Sequence, residues 1–351
     1  MNARERMLAA MNHQKPDRVP TDIWAVGEVW EKLRAHFGEG TDVAAALHID
    51  GIAGVGAKYV GPPLPRVAED ENIDLWGVRR RRVRYGEGEY YEQCHNPLAA
   101  ATTIDELEAY PWPSADWFDC SEMRPAAEAR RQTQAVMCGY MAPFTYHQYL
   151  RGLETSLTDP LVDAELTHHL LGRLCDFTYE HHRRMFEACA GAIDLTQVTD
   201  DYGMQTAAIM SLETFRRFYR PHLKRFIDLA HEFNLKVFHH DDGAIRDFIP
   251  DLVEMGVDVL NPIQWRCPGM EREALKADFG QKLCFHGGMD NQHTLPFASA
   301  EDVRAEVRRN VDLLATDKTG YVLAPCHNLQ AITPVENIVA MYDEAHHYGR
   351  F

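Results

Sequence analysis

The chain is short of positive charge. Lys and Arg number 36 against 53 Asp and Glu, a formal net charge of -17 over 351 residues. A nucleic-acid binder needs a dominant basic surface to meet phosphate, so that class is disfavoured. One basic run stands against the trend, "RRRRVR" at 79–84. It runs into a hairpin-like pattern and reads as a solvated strand face. Also missing is any stretch of about 18 to 20 apolar residues, the length a membrane-spanning helix needs. The start, "MNARERMLAAMNHQKPDRVP", lacks the apolar core of a secretory signal. The eight cysteines have no paired spacing, so free thiols in a reducing, cytoplasmic compartment are expected rather than a disulfide framework. Finally, no glycine-rich dinucleotide fingerprint follows any strand candidate, which removes the main support for a Rossmann fold.

What is there is a rhythm. With 45% hydrophobic and 25% charged residues, the composition is that of a globular protein. After a helical opening at Ala3–Met11, "RVPTDIW" can start a first strand. Residues 26–110 read as irregular, with a Gly/Pro-rich segment at 51–66 and a hairpin "RRVRYGEGEYYEQC" turning at "GEG". From about residue 133, short apolar runs alternate with helical patterns: "AVMCGY", "AIDLTQVTD", "LKVFHH", "GVDVLNPIQ", "LCFHGG" and "GYVLAP". Continuous helical sequence is expected over 143–189, and helices from 211, 244, about 270, 299 and 333. Thr333, Pro334 and Glu336 suggest a capped start for the last. Alternation of this kind means parallel βαβ units. The expected fold is a single (β/α)8 TIM barrel, with 1–110 as an N-terminal elaboration that includes a β-hairpin and the first strand, and 111–351 as the main barrel.

In such barrels the chemistry sits in loops at the C-terminal ends of the strands. Those ends read "TDDYG" (199–203), "HHDDG" (239–243), "NPIQW" (261–265), "HGGMDNQ" (286–292) and "PCHNLQ" (325–330), whereas the opposite ends are plain. Five polar ends in succession argue for a site at the mouth. His240 and Asp242 form an H-x-D in which the two side chains share one face of an extended segment, and they are the expected catalytic pair. Cys326, with its neighbour His327 as the alternative, can complete a three-ligand set. Three protein ligands with an open fourth position is the catalytic zinc pattern; the alternative is that His240 and Asp242 simply hydrogen-bond to each other or to substrate. His239 is expected in packing, and Asp241 as an acceptor orienting a histidine. At most one of Asp200 and Asp201 can face the mouth. Expected substrate contacts are Asp201, Tyr202, Gln264, His286, Asp290 and Asn328, although Asp290 and Asn291 could equally cap a helix. Cys138 and Cys284 read as buried hydrophobes, Cys267 as a reserve ligand, and Trp265 as either core or pocket wall.

Several stretches carry a resemblance. "RERMLAAMNHQKPDRVP", "YLRGLE" (149–154), "TDDYGMQ" (199–205), "FHHDDGAIRDFIPDLVEMGVDVLNPIQ" and "GYVLAPCHNLQAITPVENIVAMY" resemble, in order and over nearly the whole chain, the uroporphyrinogen decarboxylase-like superfamily. The resemblance implies a (β/α)8 barrel. True uroporphyrinogen decarboxylases carry an arginine-bearing segment near the N-terminus, and "VPTDIWAVGEVW" here has no arginine. The corrinoid-dependent methyltransferase branch binds zinc through a His-x-Cys pair and a distant Cys. By that resemblance His240 matches the histidine, Asp242 stands in the place of the first cysteine, and the third ligand falls on Cys326 or His327. The implied activity is a zinc-dependent transfer of a methyl group from a small O- or N-methylated substrate to a corrinoid carried by a partner protein. A decarboxylase or lyase of a small carboxylated substrate, a metal-dependent hydrolase, and a non-catalytic sensor remain as alternatives. Expected partners are the substrate, a corrinoid protein and a second copy of the chain, with no nucleic acid or membrane.

Overall fold

A computed structural model describes residues 1–351 apart from Arg66 and Glu87. Its strands are β1 Ile52–Val55, β2 Lys58–Tyr59, β3 Glu71–Ile73, β4 Arg79–Tyr85, β5 Gly88–His95, β6 Phe118–Asp119, β7 Ala135–Met141, β8 Leu195–Val198, β9 Lys236–His240, β10 Val259–Asn261, β11 Cys284–Met289 and β12 Tyr321–Pro325. Seven of them form one curled sheet in the order β1-β7-β8-β9-β10-β11-β12, and every neighbouring pair is parallel. Residues 20–26 reach both of its edges. Asp22 and Val26 donate to the Leu323 and Leu329 carbonyls at 3.0 and 3.1 Å, while the Asp50 and Gly51 amides donate to the Thr21 carbonyl at 3.0 and 3.1 Å.

β1 lies in the segment expected to be irregular. The run "IAGV" is too short, and its glycine too disruptive, to show an alternation; pairing with Ala135–Cys138 makes it a strand. The helical stretch over 143–189 is three helices, Pro143–Arg151, Leu153–Val162 and Ala164–Ala188, parted at Gly152 and Asp163. The final helix, Val335–Tyr348, has no side-chain cap bond, so the Thr333 cap is not made. β4 and β5 pair antiparallel; Glu87 of the "GEG" turn lies outside the described residues. The β4 arginines meet acids, Arg80 with Asp74 at 2.7 Å and Arg84 with Glu89 at 3.5 Å. Among the described residues no helix is long and apolar enough to cross a membrane.

Inside the curl, side chains stack in layers because strand residues alternate between two faces. One layer is apolar: Ala135, Leu195, Phe238, Val259, Cys284 and Val322 pack with Met7, Ala10 and Met11 of the opening helix. Two residues further along three neighbouring strands stand His240, Asn261 and His286. An apolar floor therefore carries a polar layer at the C-terminal rim.

The joint between the helices after β7 holds a buried ion cluster. Arg151 donates to Asp159 at 2.8 and 2.9 Å, and His147 lies 3.1 Å from the same carboxylate. Burial alone would raise the Asp159 pKa, but hydrogen bonds from His147 and Arg151 outweigh it and lower it from 3.8 to about 2. A carboxyl depressed in the folded state adds stability that is complete above its unfolded pKa and is lost as pH falls through the folded one. Denaturant midpoints of the wild type and Asp159→Asn should therefore differ at neutral pH and converge between about pH 4 and about pH 2, a change of about 2 kcal/mol. A pH-independent difference would show that the carboxyl's charge contributes nothing.

Candidate functional site

The register of three strands builds the site. His240 pairs with Asn261 across β9 and β10, and β10 next meets β11 with Leu260 opposite Phe285. The polar residue after each apolar one then falls into a row, His240, Asn261, His286. His240 Nδ1 lies 2.6 Å from Asn261 Oδ1, Asn261 Nδ2 lies 2.8 Å from His286 Nδ1, and His286 Nε2 lies 3.0 Å from Asp22 Oδ2. The directions follow from what each atom can do. Asn261 Nδ2 also donates to the His286 carbonyl, at 3.3 Å, which sets the amide's orientation. Asn261 Oδ1 must then accept from His240 Nδ1–H, leaving the His240 Nε2 lone pair free. Likewise His286 accepts at Nδ1 and donates from Nε2 to Asp22. A chain of hydrogen bonds thus selects one tautomer of His240, the arrangement that prepares a histidine to bind a cation.

Around that lone pair, His240, Asp242 and His327 each offer one ligand atom, and these atoms lie within 4.8 Å of one another. Asp242 Oδ2 is 3.8 Å from His240 Nε2 and 3.9 Å from His327 Nε2. Asp242 Oδ1 is buried without a hydrogen-bond partner. Burial raises the Asp242 carboxyl's pKa against the pull of both histidines, and burial lowers that of His327 against the pull of Asp242. Trp24 forms a wall, its ring centroid 5.3 Å from that of His240 and 6.4 Å from that of His327. Gly203 lets the neighbouring loop approach: a Cβ there would stand 2.0 Å from the Asp242 carbonyl oxygen.

Of the expected ligands, His240, Asp242 and His327 come together, and Cys326 does not join them. One residue before His327, its side chain turns the other way, and Sγ donates to the Ile263 carbonyl at 3.3 Å. Cys267 is buried beside Gln205 and Gln264, also outside the group. The other residues divide. Asp201 is exposed and accepts from the Asp242 amide at 3.1 Å, and Gln264 accepts from the Gly243 amide at 2.7 Å, so both adjoin the cluster. Asn328 is half-buried on the loop after His327, its carbonyl accepting from Gln330. Tyr202 and His286 are fully buried and cannot meet a substrate. The Tyr202 hydroxyl donates to Asp200 at 2.6 Å, and both ring nitrogens of His286 are engaged in the row. Asp290 is also buried and serves as a cap, accepting from the Gln292 and His293 amides at 2.9 and 3.2 Å and from Arg266. Trp265 is held between Arg266 and Arg272 and donates to the Gly288 carbonyl.

The bystanders have structural partners. His239 Nδ1 donates to the Val198 carbonyl at 2.8 Å. Asp241 accepts from the Tyr202 and Gly203 amides, and it lies 3.6 Å from His239 rather than orienting His240. Asp200 accepts the Phe144 and Thr145 amides at 2.8 Å each, and burial raises its pKa to about 7. Asn261 and Asp22, which complete the row, are not among the residues expected at the site. Asn261 was detectable, standing two residues beyond the apolar Val259 as His240 stands beyond Phe238; Asp22 had no such signal.

Comparison with known proteins agrees with this architecture. Residues 82–348 match the family model described as uroporphyrinogen decarboxylase (URO-D). No curated protein matches the chain. Among solved structures, a methyltransferase from Methanosarcina mazei is similar with a TM-score of 0.65 and 18% identity, covering 99% of each chain, a likeness of fold. 3-Keto-D-glucoside 4-epimerase, YcjR, from E. coli (TM-score 0.37, 12% identity, covering 69% of this chain and 90% of that one) is too distant to carry an argument. So is a bacterial Ig-like domain-containing GH10 xylanase from termite gut (TM-score 0.40, 7% identity, covering 78% and 85%). The family model spans well over half the residues, and the chain belongs to the uroporphyrinogen decarboxylase (URO-D) family.

Proposed function

We propose that this protein is a zinc-dependent methyltransferase that takes a methyl group from a small O- or N-methylated substrate for delivery to a corrinoid on a partner protein. The observation that carries the reading is the convergence of His240, Asp242 and His327 around a histidine whose tautomer is already set. Two imidazoles and a carboxylate with room for a fourth group suit a catalytic zinc better than magnesium or calcium, which prefer all-oxygen sets. The unpartnered Asp242 Oδ1 is a donor still lacking a partner. The fold likeness to a methyltransferase supports the same class. Residues 20–26 occupy the eighth position of a one-domain (β/α)8 barrel in this proposal.

Zinc held there would act as a Lewis acid on the substrate's heteroatom, and the partner's reduced cobalt would accept the methyl group. The residues of the chain supply the rest. Asn261 keeps the His240 lone pair turned toward the cluster, and Asp201 and Gln264 hold the Asp242–Gly243 backbone in place. Trp24 covers one side of the imidazoles and limits water. An aspartate in place of a thiolate donates less electron density and favours an ether or amine donor over thiol activation.

Elemental analysis of the purified protein should find about one zinc per chain, and incubation with free reduced corrinoid and a panel of methyl ethers and methylamines should demethylate at least one donor. Absence of stoichiometric metal defeats the zinc reading. Turnover of a substrate without any corrinoid defeats the methyl-transfer reading.

A further inference from the structure

A second cavity opens where β1 and β7 part. Their pairing ends at Val55 and Cys138, and beyond it lies a cavity of about 400 Å³, the size of a small-molecule pocket. Its walls are largely aromatic. Trp76 lies 5.2 Å from Tyr146 and 5.1 Å from Phe177 between ring centroids, with Phe118 and Tyr140 beside them. Among the described residues no charged side chain lines it.

Two histidines of its lining carry a ring nitrogen that nothing satisfies, His181 Nδ1 and His182 Nε2. His182 is 2% exposed and Thr196 is fully buried, yet His182 Nε2 and Thr196 Oγ1 have no hydrogen-bond partner. His182 Nδ1 lies 2.7 Å from the Thr178 carbonyl, which can only accept, so the proton sits on Nδ1. Burial lowers the imidazole's pKa to about 4, so at neutral pH Nε2 is a bare lone pair. Gly139 stands between His182 and Thr196. A Cβ there would stand 2.7 Å from His182 Nε2 and 2.9 Å from Thr196 Oγ1, and a φ of +91° admits only glycine comfortably. A glycine here lets the His182 ring and the Thr196 hydroxyl come this close to the strand. Leaving such groups unmade costs about 1 to 3 kcal/mol each.

We propose that this cavity binds a neutral, planar aromatic molecule bearing a hydroxyl group, a phenol in its simplest form. The ring lies among Trp76, Tyr146 and Phe177, where offset and edge contacts favour it. The hydroxyl donates to His182 Nε2, the unpartnered acceptor in the lining. A carboxylate or ammonium would be buried without a counter-charge and is rejected.

The probe is phenol, with benzene as the comparison, titrated calorimetrically into the full-length protein. Phenol should bind saturably, one per chain, and shift the methyl resonances of Met137 and Met185, which line the cavity. His182→Phe and His182→Leu should each weaken phenol about five- to tenfold, the worth of one hydrogen bond, while benzene changes less than about twofold. His240→Ala should leave phenol binding intact. No saturable binding, equal phenol affinity in both variants and wild type, shifts confined to other methionines, or loss of binding in His240→Ala would each overturn the proposal. Thermal unfolding shows which variants are folded, and His182→Leu decides the matter if His182→Phe is not.

Discussion

His240→Ala is expected to empty the proposed metal site and abolish turnover, and His327→Ala and Asp242→Ala should follow it. Losing one of three ligands removes a bond from a set that already leaves its fourth position open. The expected fall in zinc affinity is at least about a thousandfold, about 4 kcal/mol. Cys326→Ser should keep its metal, because Sγ is engaged with the Ile263 carbonyl and lies outside the group. Asn261→Leu gives the graded case. It removes the acceptor that holds His240 Nδ1–H, so affinity should fall by about ten- to a hundredfold with all three ligands still present. Zinc per chain by elemental analysis and competition with a chelating dye measure all five variants. Metal retained in both histidine variants would remove the proposed ligand set, and metal lost in Cys326→Ser would restore the cysteine.

The largest expected effect on stability is at Asp50. The carboxylate is 3% exposed and accepts from three groups: Arg6, Arg18 at 3.0 Å and the Thr21 amide at 3.0 Å. Arg6 and Arg18 are themselves buried, at 8% and 9% exposed. Asp50→Ala would leave two buried guanidinium groups short of their counter-charge and a backbone amide unpaired, at exactly the place where residues 20–26 meet the sheet edge. Arg6 retains Asp17 at 2.6 Å, which softens its share. Removing one partner of a buried ion cluster costs about 3 to 5 kcal/mol, a large fraction of the stability of a typical domain. Equilibrium unfolding in denaturant measures it; a loss below about 1 kcal/mol would mean that water reaches both arginines. Asp50→Asn, keeping an acceptor but not the charge, should fall between.

Much of the site could be read from strand periodicity. His240 and Asp242, two apart, are expected on one face; β9 ends at His240, and Asp242 just beyond it still comes within 3.8 Å of the imidazole. What periodicity could not supply was direction beyond a strand's end. The chain leaves β12 at Pro325, so whether Cys326 or His327 turns to the cluster depends on the backbone turn. Tyr202 failed for a similar reason: after β8 the chain bends, and the ring stacks on Phe248 at 5.6 Å. His286 was read as a substrate contact because it is polar at a strand end, yet both its ring nitrogens are taken by Asn261 and Asp22. The alternating helices and strands identified the βα units, while β1 was hidden by its glycine and its four-residue length. The hydrogen-bond row shows only when positions on separate strands are compared in register, which a linear reading does not do.

The pairing of residues 20–26 with 323–329 has a consequence for biosynthesis. Asp22 anchors the row that ends on His240, and its backbone is held by Leu323, some 300 residues later. The segment 20–26 must wait for residues some 300 further along before it can be held in place. Contacts so distant in sequence close late, after local helices and hairpins have formed. A nascent chain on the ribosome therefore holds His240 and Asp242 without the support that orients them, and with His327 still unmade or in the exit tunnel. Competence at this rim therefore waits for β12 and the loop after it, and a chain stalled short of them has none of it.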